Sequence, residues 1–163
     1  MTSISVVFPL FNEEDYVLRA CEAAMDALAP ITDDFEIILV NDASTDKTPQ
    51  LIDALCAKDP RVKAVHNPKN LKLGGTLRAG YAVATRELVL YTDADLPFDL
   101  HEVRRAVRLL EVQKADVVSA YRFDRTSEGL LRTVYSFFYN SLVRALFGLA
   151  IKDVNFSFKL FKR

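Results

Sequence analysis

Phe35-Glu36-Ile37-Ile38-Leu39-Val40-Asn41-Asp42-Ala43-Ser44-Thr45-Asp46-Lys47-Thr48-Pro49 is the stretch that decides the fold. Its first six residues are a short apolar run and read as a buried strand. Residues 41–46 are a polar turn, and Thr48 is expected to cap a helix that has Pro49 in its first position. A proline is harmless there because the missing N–H would have had no intrahelical partner. The helix is predicted to run to about Lys58, and Val62–His66 reads as the next strand.

The same alternation extends in both directions. Upstream, Ile4–Phe8 is a compact β-branched run, and Asn12 is expected to cap a helix to about Leu28 with Glu13, Glu14 and Asp15 in its first turn. Downstream, a loop of Asn, Lys and Gly at 67–75 precedes a predicted helix from Thr76 to Ala84 and a strand at Leu88–Tyr91. Asp99 with Glu102 forms a predicted capping box for a helix to Gln113. Asp116–Ala120 is a fifth strand, residues 128–147 a long helix ending at Gly148, and Val154–Phe161 a last, alternating strand. Strands alternating with helices imply an α/β chain with a mainly parallel, Rossmann-like sheet and helices on both faces.

Bulk properties narrow the class. The chain of 163 residues is expected to be a single domain, 1–163, with a net charge of −1 that argues against nucleic acid as a partner. Cys21 and Cys56 lack metal-ligand spacing and read as packing residues; His66 and His101 read as structural or exposed. There is no signal-peptide pattern and no run of 18 apolar residues, so a soluble or surface-resting chain is expected. Residues 130–149, rich in Leu, Val, Phe and Tyr, read equally as core or as a helix lying in a membrane headgroup region.

Open parallel sheets bind ligands beyond the carboxyl ends of their strands. That edge collects Asn12 with Glu13, then Asp42, then Asp93 with Asp95. Two carboxylates at i and i+2 after a strand can turn into one cleft, where hard oxygen donors suit Mg²⁺ or Mn²⁺ bridging a diphosphate. Asp42 suits either a contact to a nucleobase or ribose, or an Asx turn. Phe11 is placed to flank a base, and Pro9 stiffens the strand exit. Gly74 and Gly75, with Lys72 and Arg78, give a weaker phosphate signal without a Walker ending. Arg122 and Arg132 are arginines at the active edge suited to phosphate oxygens.

Val7-Phe8-Pro9-Leu10-Phe11-Asn12-Glu13-Glu14, Val40-Asn41-Asp42-Ala43-Ser44-Thr45-Asp46 and Thr92-Asp93-Ala94-Asp95-Leu96, in that order, resemble the family 2 glycosyltransferases. Asn70–Gly80, Val118–Arg122 and Asp153–Phe161 extend the resemblance to the dolichyl- and polyprenyl-phosphate hexose synthases, over essentially the whole chain. It implies an A-type glycosyltransferase fold and inverting transfer from a UDP- or GDP-hexose to a polyprenyl phosphate, at the cytoplasmic face of a membrane touched peripherally. It further implies that Pro9, Phe11, Glu13, Val40 and Asp42 line the nucleoside pocket, and that Asp93 and Asp95 hold Mg²⁺ or Mn²⁺ and the diphosphate. Ala94 would lie against the ribose, Arg122 would contact donor diphosphate or acceptor phosphate, and Arg132 and Ser136 the acceptor phosphate. Asp95 and Arg122 are thus the candidate catalytic residues.

Three departures stand out. Asn41 replaces the common first Asp of the second motif, Pro97 stands where mannosyl-transferring relatives often have Gln, and relatives continue for some tens of residues beyond the equivalent of Arg163. A continuation is therefore expected to be missing. Other readings are a glycosyltransferase with a protein or polysaccharide acceptor, and a nucleotide-sugar-binding module without chemistry. A nucleotidyltransferase is disfavoured, because no Gly-rich signature follows the first strand.

Overall fold

The computed structural model describes residues 2–121, 130–148 and 153–163, with residues 130–134, 136 and 137 described by backbone alone. Strands β1 (Ile4–Leu10), β2 (Phe35–Asn41), β3 (Val62–His66), β4 (Leu88–Tyr91), β5 (Val117–Ser119) and β6 (Lys159–Lys162) form one sheet in the order β3-β2-β1-β4-β6-β5. The first four are mutually parallel. β6 enters antiparallel between β4 and β5, so the sheet is mixed at one edge. The alternating segment 154–161 is strand only at its end, β6, because Phe156 and Phe158 pack into the core from a loop.

Alternation along the strands divides the core. Ile4, Val6, Phe8 and Leu10 of β1, with Phe35, Ile37 and Leu39 of β2, face the larger cluster. Helices α1 (Val17–Leu28), α2 (Thr48–Lys58) and α4 (Glu102–Gln113) contribute to it. Val7, Ile38, Val40 and Val89 face the other way, toward α3 (Lys72–Val83). There α3 comes so close that a Cβ on Gly80 would collide with Val7 and stand 3.0 Å from Val40 Cγ2. Both faces are thus covered, as a buried parallel sheet requires.

Helix starts differ from the sequence reading. α1 begins at Val17, because Asn12 has φ 58° and residues 13–16 form a turn. α3 begins at Lys72, four residues earlier than expected, with Gly74 and Gly75 inside it. The Asp99–Glu102 capping box does not form: Asp99 Oδ1 accepts from His101 N at 2.9 Å and lies 2.8 Å from His101 Nδ1. Thr48 does not cap α2 either, since its N–H donates to Asp46 Oδ1 (2.9 Å) and its hydroxyl is used elsewhere. Cys21 is buried and Cys56 half-buried, both free thiols. Among the described residues no helix is long and apolar enough to cross a membrane.

Candidate functional site

The loops beyond β1 and β2 are sewn together by side chains bonding to backbone. Asn12 N donates to Ser44 Oγ (3.0 Å), and Asn12 Oδ1 accepts from Thr45 N (2.8 Å). Glu13 N donates to Thr48 Oγ1 (2.9 Å), Glu14 N to Asp46 Oδ2 (3.1 Å), and Lys47 N to Glu14 Oε2 (2.8 Å). Burial works against the Asp46 carboxylate, but these donors and Thr48 outweigh it and hold its pKa below the ordinary range. Glu14 and Asp46 are therefore latches rather than ligand groups. Asn41 belongs to the same scaffold: its Oδ1 accepts from Ser44 N (2.9 Å) and its Nδ2 lies 3.0 Å from His66 Nδ1. His66 Nε2 in turn lies 3.1 Å from Asp53 Oδ1, so His66 is a bridging structural residue.

Above this scaffold lies a pocket of about 210 Å³ lined by Pro9, Leu10, Phe11, Glu13, Asp42, Leu73, Thr76 and Asp93. Pro9, Phe11, Glu13, Asp42 and Asp93, expected together, do meet there. Asp42 is almost fully buried, and its Oδ1 accepts from Asn67 Nδ2 and Leu71 N, both at 2.8 Å. Burial opposes its charge, yet the hydrogen bonds prevail and lower its pKa. Asp42 thus binds the start of α3 to the pocket as well as lining it, while the turn bond to Ser44 N is made by Asn41.

Asp93 and Asp95 behave differently. Asp93 is partly buried, and its Oδ1 accepts from the Tyr91 hydroxyl at 3.0 Å. Burial raises its pKa, with Asp95 adding repulsion, against hydrogen bonds from Ser157 and Tyr91 and the charge of Lys159. Asp95 is exposed, and its charge acts on Asp93. Glu13 is raised by burial first and then by Asp95, Asp93 and Asp46, which places these acids in one negative field. Among the described residues no group of three or more His, Cys, Asp or Glu side chains is placed to hold a metal ion unaided.

Two expected lining residues lie elsewhere. Val40 is fully buried on the α3 face of the sheet, and Ala94 is buried in the larger core. Neither lines the pocket: Val40 is packed within β2, and Ala94 sits in the turn beyond β4. Arg122 lies outside the described residues, as do the side chains of Arg132 and Ser136. Leu73 and Thr76 line the pocket although the sequence reading passed over them. Their signal was available in principle, one helical turn apart at the start of a helix facing the edge, but hidden by placing that start too late. Four of the non-glycine residues at positive φ follow the carboxyl ends of the strands: Asn12, Ala43 and Leu96 in loops, and Lys72 as the first residue of α3. Such strained backbone gathers where loops are over-determined by function.

The sequence model of glycosyl transferase family 2 matches residues 5–163. The chain belongs to this family. Glycosyltransferase AglD of Haloferax volcanii is 30% identical over 166 residues, covering 98% of this chain and 26% of its own length. An undecaprenyl-phosphate 4-deoxy-4-formamido-L-arabinose transferase of Pectobacterium carotovorum is 31% identical over 163 residues, covering 99% of this chain and 49% of its own. The family 2 chain therefore spans between a quarter and a half of the length of these curated relatives. Among solved structures, the mannosyltransferase PcManGT of Pyrobaculum calidifontis, in complex with GDP-Man and Mn²⁺, has a TM-score of 0.72 at 24% identity. It covers 98% of this chain and 44% of that one. Glucosyl-3-phosphoglycerate synthase of Mycobacterium tuberculosis, with Mn²⁺, UDP-glucose and glycerol 3-phosphate, has a TM-score of 0.66 at 21% identity, covering 99% and 57%. The fold is thus the A-type fold of glycosyltransferases.

Proposed function

We propose that this chain is the donor-binding part of a metal-dependent, inverting glycosyltransferase that moves a hexose from a UDP- or GDP-sugar to a polyprenyl phosphate. The observation that carries this reading is one pocket in which Asp42 and Asp93 face the same space, with the exposed Asp95 near enough for its charge to act on Glu13 and Asp93. Phe11, about half exposed beside it, offers a face for a base, and the Asp42 carboxylate accepts from base or ribose donors.

The residues fit a divalent metal. Asp93, Asp95 and Glu13 are hard oxygen donors; burial first raises Asp93 and Glu13, and repulsion from Asp95 adds to both, a field that a cation relieves. Fewer than three of them are placed to hold an ion together, which suits a site completed by diphosphate oxygens. When bound by Asp93 and Asp95, Mg²⁺ or Mn²⁺ supplies positive charge to the leaving nucleoside diphosphate. The chain's own residues do the rest by placement. A lipid phosphate is already anionic, so its attack needs orientation more than a strong base. Arg122, Arg132 and Ser136 are the residues proposed to hold that acceptor phosphate.

The membrane side of the reading rests on helix α5 (Leu130–Phe147). Tyr135, Phe138, Tyr139, Leu142 and Leu146 recur at helical spacing and are all exposed, Leu146 to 68% and Tyr135 to 73%. Aromatic and aliphatic side chains in one exposed stripe suit the headgroup boundary of a bilayer. Asn140, buried on a different face of the helix, anchors it by accepting from Val154 N at 3.0 Å. Peripheral contact at the cytoplasmic face places the pocket beside a lipid phosphate.

Thermal-shift titration with UDP and GDP, each with and without Mn²⁺, tests the donor half. One nucleotide with Mn²⁺ should raise Tm by roughly 5 °C at about 100 times its Kd, with little effect from either component alone. No shift with any combination contradicts the reading.

A further inference from the structure

We propose that Tyr91, aided by Ser157, is a positioning residue that fixes the carboxylate of Asp93 for the donor diphosphate and its cation. The inference rests on the donor-binding reading above and adds to it the device that orients one member of the acidic pair.

Tyr91 ends β4 and stands two residues before Asp93, so in extended chain the two side chains share a side. The phenol ring is nearly buried, while its hydroxyl reaches Asp93 Oδ1 at 3.0 Å. The Ser157 hydroxyl also bonds that carboxylate, from the loop before β6. The ring itself is held from the neighbouring strand. Lys159 is the register partner of Tyr91, its Nζ lies 5.9 Å from the ring centroid, and that ammonium donates to Phe156 O. The antiparallel insertion of β6 therefore does more than extend the sheet. It supplies the wall against which Asp93 is aimed, whereas Asp95 projects into solvent.

A buried phenol needs a hydrogen-bond partner, and satisfying it is a sufficient reason for a contact of purely structural value. The two roles separate experimentally. Tyr91→Phe keeps the ring and removes one oxygen. Isothermal titration would compare UDP or GDP with MnCl₂, whose binding uses the Asp93 carboxylate, against UMP or GMP without metal, whose binding does not.

Positioning predicts that Tyr91→Phe weakens Mn²⁺-dependent diphosphate binding by roughly 10-fold while monophosphate affinity stays within about twofold. Equal affinities, or a parallel fall in both, overturn the proposal. Ser157→Ala repeats the pair of measurements should the first variant fail to fold. If the unaltered chain binds neither diphosphate, the donor-binding reading itself fails and this inference falls with it. A Tyr91→Phe defect confined to the diphosphate separates the two.

Discussion

The two ends of the sheet both bury carboxylates, and treat them in opposite ways. At the amino end, Glu36 is almost fully buried, yet it accepts from Ser5 Oγ (2.7 Å), Thr85 N (2.7 Å) and Thr85 Oγ1, and it pairs with Lys63. Burial opposes its charge, but these partners outweigh it and bring its pKa to about 2. At the carboxyl end, Glu13 and Asp93 are raised instead, by burial and by one another's neighbourhood. An acid whose surroundings are complete is a structural part. Acids crowded together with their charge only partly compensated suit a cation brought by a ligand.

Breaking the satisfied end should give the largest loss of stability. Glu36→Gln is expected to cost about 3 kcal/mol in denaturant unfolding at pH 7, the order of the linkage between its ordinary and folded pKa. The sign follows from the direction of the shift. The folded pKa lies below the ordinary 4.5, so the stabilisation is complete above 4.5 and is lost as pH falls through about 2. Glu36→Gln should flatten the stability profile across that window. An unchanged profile removes the contrast between the ends.

Asp46 sharpens the comparison because it lies at the ligand end but is saturated like Glu36. Asp46→Ala loses the acceptors of Glu14 N and Thr48 N and should cost about 1–2 kcal/mol in the same unfolding assay. Glu13→Gln is the smallest and opposite effect. Removing a charge disfavoured by burial and then by Asp95 and Asp93 should slightly raise stability at pH 7. A loss from Glu13→Gln would show that the upper acids are not in conflict.

The acidic edge was legible in the sequence, whereas Glu36 was not. The short apolar runs located the strands, and the placement of Asp42 just beyond one of them and of Asp93 and Asp95 just beyond another located the edge. Periodicity is a local property, and these elements are locally consistent. What was not legible depends on partners far away in the chain. Asn12 looked like a helix cap and Glu14 like a dipole acid, yet both bond to residues 32–33 positions on. Val40 and Ala94 belong to motifs at the edge, but their side chains pack into the core. The antiparallel direction of β6 gives no local signal, and with it went the wall that supports Asp93.

Electron paramagnetic resonance of Mn²⁺ tests the central claim most directly, that the acidic pair and a nucleoside diphosphate hold one cation at this edge. With UDP or GDP present, the unaltered chain should remove the aqueous Mn²⁺ signal well beyond the nucleotide alone, and Asp95→Ala should weaken that capture roughly 100-fold without lowering Tm. Undiminished capture of Mn²⁺ by Asp95→Ala would contradict the account.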